Sequence, residues 1–118
     1  MDFMTCIWDV LDVTYVVIRV RDFPEKGVTL EQLKPLIQEI REKSKGMVIT
    51  IDLSHVGLVG IDRFKMIMSI CQEVIDYTKD DNLLQQIEFE NAGFIFRTLY
   101  KPISLAIPKY FRDIVVFL

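Results

Sequence analysis

Met47-Val-Ile-Thr-Ile-Asp-Leu53 is the stretch that most narrows the choice of fold. It is too short for a buried helix. Its nearly continuous apolar, β-branched character fits a strand in a sheet covered on both faces. Parallel neighbours of such a strand are reached through crossovers, usually helical. The flanking sequence agrees. Leu33, Leu36, Ile37 and Ile40 recur at helical spacing before it, and Phe64, Ile67, Met68, Cys71, Val74 and Ile75 do so after it.

The remaining elements follow from pattern and punctuation. Thr5–Val10 and Tyr15–Val20 are rich in β-branched and aromatic residues, and with Asp12 between them they predict a hairpin. In the second strand Val16, Ile18 and Val20 share one face, and Val17, Arg19 and Arg21 the other. After the turn Asp22-Phe-Pro-Glu-Lys-Gly27, Thr29 is placed to cap a helix. Gln32 completes a capping box, and Val28 and Leu33 form a staple. Pro35 either kinks this helix or marks a later start near Lys34. Lys43, Lys45 and Gly46 suit its end.

Ser54–Gly60 reads as a loop with two glycines, Gly57 and Gly60. A second helix is expected from Ile61 or Asp62 to Tyr77, with Asp62 as its cap. Beyond the polar break at residues 79–82, Leu84–Asn91 predicts a strand. Gly93 opens a third helical segment carrying Ile95, Thr98, Leu99, Ile103 and Ala106, which Pro102 and Pro108 should divide into short pieces. Asp113–Leu118 reads as a last strand. The order β-β-α-β-α-β-α-β predicts an α/β fold with a mixed sheet covered by helices. At 118 residues, positions 1–118 make one compact domain.

Composition excludes several classes. Apolar residues make up 51% of the chain, enough for a core and against disorder. Fourteen basic against seventeen acidic residues give a net charge of −3, so no general nucleic-acid binding is expected. Cys6 and Cys71 lack metal-site spacing and read as reduced thiols, although two cysteines can also pair. With no signal peptide at the start and no apolar run of membrane-spanning length, a cytoplasmic location is expected.

Catalytic equipment is sparse. His55 is the single histidine, which excludes a multi-histidine metal site and favours a loop or capping role. Neither GxGxxG nor GxxxxGK[ST] occurs, so no metal and no cofactor are expected. Glu88 and Glu90 fall on one side of a strand roughly 7 Å apart. They read either as an acid pair or, with more weight, as charges on an edge or solvent-facing strand. Arg97, Lys101, Lys109 and Arg112 form a basic cluster opposed mainly by Asp113, suited to an anionic headgroup or an acidic protein surface.

Two resemblances follow. Val48–Phe64, with Asp52-Leu53-Ser54 closing the strand, looks like the strand, loop and helix start of STAS domains, which have the SpoIIAA-like fold. In that family an Asp-Ser-Ser-Gly block at the helix start carries a phosphorylated serine. Here the block falls on Gly60, Ile61, Asp62 and Arg63, and Asp62 cannot accept a phosphate from a serine kinase. The final third is similar to CRAL-TRIO (Sec14-like) domains at Asn91, Ala92, Phe96, Tyr100, Ile107 and Pro108, with Gly93 where proline is usual and Ser104-Leu105 replacing a bulkier approach. In those domains this region supplies a gate helix over a lipid cavity.

The STAS resemblance implies a non-enzymatic regulatory module that binds another protein through His55, Gly57, Leu58, Gly60, Ile61, Asp62 and Arg63. The CRAL-TRIO resemblance implies an alternative, a phospholipid or other apolar ligand between sheet and third helix. Phe94, Phe96, Tyr100, Ile103 and Ile107 would line that site, and Arg97 or Lys101 would meet the headgroup. A contiguous cavity of about 300 Å³ or more would favour it and a packed interior would oppose it. The full CRAL-TRIO domain is longer than 118 residues, which ranks partner binding first. A third reading is self-assembly with a second copy through the strand Ile114–Leu118.

Overall fold

The computed structural model describes residues 2–57 and 60–118. Its elements are β1 (Met4–Val10), β2 (Val13–Arg19), a 3₁₀ turn (Val20–Asp22), α1 (Leu30–Lys43), β3 (Gly46–Asp52), α2 (Gly60–Thr78), β4 (Leu84–Glu90), α3 (Phe94–Ala106), α4 (Lys109–Arg112) and β5 (Val115–Phe117). The five strands form one sheet in the order β1-β2-β3-β4-β5. β1 pairs antiparallel to β2, and every later neighbour is parallel. The expected α/β class with a mixed sheet is what forms.

Sequential strand order fixes where the helices go. Each of the three crossovers advances one strand in the same direction, so right-handed crossovers set α1, α2 and α3 on one face of the sheet. The side-chain alternation agrees. Val16 and Ile18 of β2, Ile49 and Ile51 of β3, and Ile87 and Phe89 of β4 point into the helix layer and are buried. Tyr15, Val17, Val48, Thr50, Glu88 and Val116 fall on the opposite face. The sheet is therefore not covered on both faces. Val48 and Thr50 are buried, at 5% and 3% exposure, because neighbouring side chains of a central strand screen them. Thr50 Oγ1, for example, donates to Glu88 Oε2 at 3.3 Å. Glu88 and Glu90 lie on this open face of an interior strand, not on an edge.

Local chemistry explains the element ends. Thr29 caps α1 and accepts from Gln32 N, and Thr29 N in turn donates to Gln32 Oε1 at 2.9 Å. The helix starts at this box and continues through Pro35, so the later start near Lys34 does not occur. α2 begins at Gly60, which puts Asp62 inside its first turn and not at its cap. α3 likewise runs through Pro102 and breaks only at Ile107-Pro108. Pro102 lies on the exposed side of α3, where solvent can satisfy the carbonyl its missing N–H leaves free. Cys6 and Cys71 are both free, and burial pushes the Cys71 thiol up to about 12.

Candidate functional site

α3 carries apolar side chains on both its inner and its outer side. Its inner side holds Phe96, buried, with Leu99, Tyr100 and Ile103 half-buried. Phe96 meets Phe64 at 5.5 Å between ring centres, and Phe64 meets Phe89 at 5.6 Å. Tyr100 closes the stack on Phe89 at 5.7 Å and on Phe117 at 5.2 Å. Burial raises the pKa of the Tyr100 hydroxyl. Outside, Phe94 is 84% exposed, Leu105 81% and Ile95 54%.

Polar ties distinguish α3 from its neighbours. Arg41 of α1 bonds Asp81 at 2.8 Å, and Arg63 of α2 donates to Phe23 O at 2.9 Å. Tyr110 of α4 donates to Asp76 Oδ1 at 2.5 Å and accepts from Gln72 Nε2 at 2.8 Å. Among the described residues, the side chains of α3 make only local hydrogen bonds, Arg97 to Ala92 O and Ser104 to Lys101 O. Beyond these, α3 is held by rings, aliphatic packing and the Arg97 guanidinium 4.9 Å from the centre of Phe117.

Charge is also segregated here. Residues 92–114 hold four of the fourteen cations, Arg97, Lys101, Lys109 and Arg112, and one of the seventeen acids, Asp113. Lys109 pairs with Asp113 at 2.9 Å. α3 itself contains no acid.

The interior is closely packed, and rings fill the space between the sheet and α3, so the cavity of about 300 Å³ expected there for a lipid does not form. The cavity between α1, α2 and the sheet is about 30 Å³, and its lining is apolar. Larger openings lie at the surface, one of about 450 Å³ beside Tyr110 and the end of α2 and two along the seam between α2 and α3. One of about 330 Å³ is lined by Lys65, Met68, Ser69, Gln72, Ile103, Ala106 and Ile107. Another, of about 210 Å³, lies between Val56, Gly57, Ile61, Ile95 and Phe96. Gly57 and Ile61 from the expected protein-docking set thus share an opening with Phe96 from the expected lipid set.

The other expected residues scatter. His55 is exposed with φ 56°, Gly57 and Asp62 are exposed, and Ile61 and Arg63 are half-buried. Gly60 is buried, and Leu58 lies outside the described residues. Among the lipid set, Phe94, Arg97 and Lys101 point outward, and Ile103 and Ile107 border the seam.

Two polar clusters were missed by the sequence reading. Asp52 accepts from Ser54 N at 2.9 Å and from Asn91 Nδ2 at 3.0 Å, tying the ends of β3 and β4. Burial alone would raise its pKa, but these bonds and nearby Arg21 outweigh it and hold the carboxyl below its usual range. Asn91 follows the strand at φ 58°, a conformation asparagine tolerates, and that is the one signal the sequence offered. The second cluster is Gln72–Asp76–Tyr110, which no local pattern announces. Among the described residues, no group of three or more His, Cys, Asp or Glu side chains is arranged to hold a metal, and no helix is long and apolar enough to cross a membrane.

No protein-family model matches the chain, and no curated protein does. Among solved structures it is similar to "Crystal structure of Sfh5", with a TM-score of 0.62 and 15% identity over 99% of this chain and 47% of that one. The chain spans about half the length of that structure. At this identity the likeness speaks for the fold alone. It supports the CRAL-TRIO side of the sequence resemblance, and nothing found supports the STAS side. The chain shares its fold with the matched 47% of the Sfh5 structure.

Proposed function

We propose that this chain is a Sec14-like binding module for an apolar, lipid-class ligand, working through α3 and meeting an anionic lipid surface with the outer side of that helix. The observation that carries the reading is how α3 is held and what it exposes. Its side chains bind the rest of the protein through apolar and ring contacts. Its outer side shows Phe94, Ile95 and Leu105 beside Arg97 and Lys101. Exposed aromatic and aliphatic side chains among cations, with no acid on the helix, suit a negatively charged lipid interface. A helix without polar ties can also shift without stranding buried donors or acceptors. The Sfh5-like fold supports the same reading over the protein-docking alternative.

The test is vesicle co-sedimentation combined with native mass measurement of the purified chain. The expected result is a retained lipid mass and binding that rises with the anionic lipid fraction. The double variant Phe94→Asp, Leu105→Asp should lose vesicle binding. Its stability should stay within about 0.5 kcal/mol per substitution, because both side chains are exposed. A clean apo mass together with no vesicle binding by the wild type would refute the reading.

A further inference from the structure

We propose that the seam between α2 and α3, and not the space between α3 and the sheet, is a binding groove for a single-chain amphiphile with an anionic head. The inference deepens the proposed function and rests on it. The space beneath α3 is occupied by the stack of Phe96, Phe64, Phe89, Phe117 and Tyr100. Adjacent helices ordinarily interdigitate at about 8–10 Å between axes. Along this seam the two helices leave an opening of about 330 Å³. That volume is at the small end for ligand sites, which suits one chain better than two.

The two walls of the opening differ in chemistry. Ile103, Ala106 and Ile107 make the α3 side apolar. On α2, Lys65, Ser69 and Gln72 follow one another at i, i+4 and i+7, one helix face, with Met68 between them. A hydrocarbon would desolvate the polar wall without compensation, and a wholly polar ligand would gain nothing from the apolar wall. An amphiphile satisfies both.

The available polar atoms set the sign of the head. The Gln72 amide nitrogen is already engaged, to Tyr110 Oη at 2.8 Å and to Asp76 at 3.3 Å, and its Oε1, though unpartnered, is buried, so neither atom meets a ligand in the groove. The lysines in ion pairs are Lys34, Lys43, Lys45 and Lys109. Lys65 is not among them, and Asp62, one turn earlier, forms no ion pair with it among the described residues. The Lys65 ammonium and Ser69 hydroxyl therefore remain as donors one helical turn apart. A head with two or more acceptor oxygens spans them, and its negative charge neutralises Lys65. The chain then runs along Met68, Ile103, Ala106 and Ile107.

The experiment titrates cis-parinarate, a fluorescent long-chain carboxylate, into the full chain, followed by competition. Saturable 1:1 binding is expected. Lys65→Glu and Ala106→Trp should each weaken it at least about tenfold, the scale of a lost charge-assisted hydrogen bond or a blocked groove. Ala106 is exposed, so the tryptophan is tolerated, and circular dichroism checks that both variants fold. Lys26→Glu, the same charge change in the turn before α1, should leave affinity unaltered.

Displacement by oleate assigns a carboxylate head, and displacement by lysophosphatidate alone assigns a phosphate; either supports the anionic groove. Equal displacement by oleyl alcohol overturns it. If the folded Lys65→Glu and Ala106→Trp variants bind the probe as the wild type does, the groove falls. The broader lipid-binding reading then stands on the wild-type titration. If no lipid-class molecule binds the wild type, that reading falls as well.

Discussion

Gly60 shows how one residue joins the two surfaces of the candidate site. A Cβ built there would lie 1.8 Å from Val56 Cγ1 and 3.7 Å from Phe96 Cζ, so a side chain would meet both the loop before α2 and the inner face of α3. In the sequence Gly60 reads only as a glycine that lets a loop turn. Its reason is space, and space depends on Phe96, thirty-six residues away in the chain. We expect Gly60→Ala to destabilise the protein by about 1–3 kcal/mol, the range for overpacking. Urea unfolding measures it, and wild-type stability would mean that Val56 swings clear without cost. Thr29 is the opposite case. Its capping box with Gln32 was legible because both partners lie within one helical turn.

Among the elements, α1 was nearly complete in the sequence and α3 was not. α1 has a cap, a staple and apolar positions at helical spacing, all local signals. α3 carries Pro102, which predicts a break, yet the helix continues because the proline sits on its solvent side. α3 also lacks side-chain hydrogen bonds to other elements among the described residues, whereas α1, α2 and α4 each have one or more. Local opening should therefore be easiest in α3. Hydrogen exchange read by mass spectrometry should show its backbone amides exchanging at least about tenfold faster than those of α1 and α2, a difference of about 1.4 kcal/mol in opening energy. Equal protection across the three helices would contradict the reading of α3 as the most loosely held of them.

For the molecule as a whole, the tie between Tyr110 and Asp76 fastens the C-terminal segment to α2 and makes stability pH-dependent. The Tyr110 hydrogen bond, followed by Gln72 and Lys79, lowers the Asp76 pKa below its ordinary 3.8. That contribution is present above 3.8 and is lost as pH falls through the depressed value. The bond to Asp76 also raises Tyr110 above its ordinary 10.0, so this second contribution is present below 10.0 and is lost as pH rises through the elevated value. Thermal unfolding of the wild type and of Tyr110→Phe should thus differ by a constant amount across the middle pH range. The gap should close below 3.8 and above 10.0. A gap that stays the same at both extremes would show that the phenol's packing, not its hydrogen bond, supplies the difference.

By itself the sequence determined the alternation of strands and helices, the buried positions of β2, β3 and α2, and the capped start of α1. Each rests on periodicity or on partners a few residues apart. It also singled out Phe94, Arg97 and Lys101 by type, but it set Phe94 between sheet and helix, whereas the structure turns that ring outward. Only the tertiary structure decided that every crossover falls on one side, leaving Tyr15, Val17 and Val48 on an open face despite an apolar run in β3 that suggested two covered faces. Only it brought Ile61 beside Ile95, and Lys65 and Ser69 opposite Ile103 and Ile107. The physical reason is the same in each case. Periodicity reports which face of an element is apolar, whereas a groove is the space two elements leave between them, and that is set by strand order and side-chain volume across the whole fold.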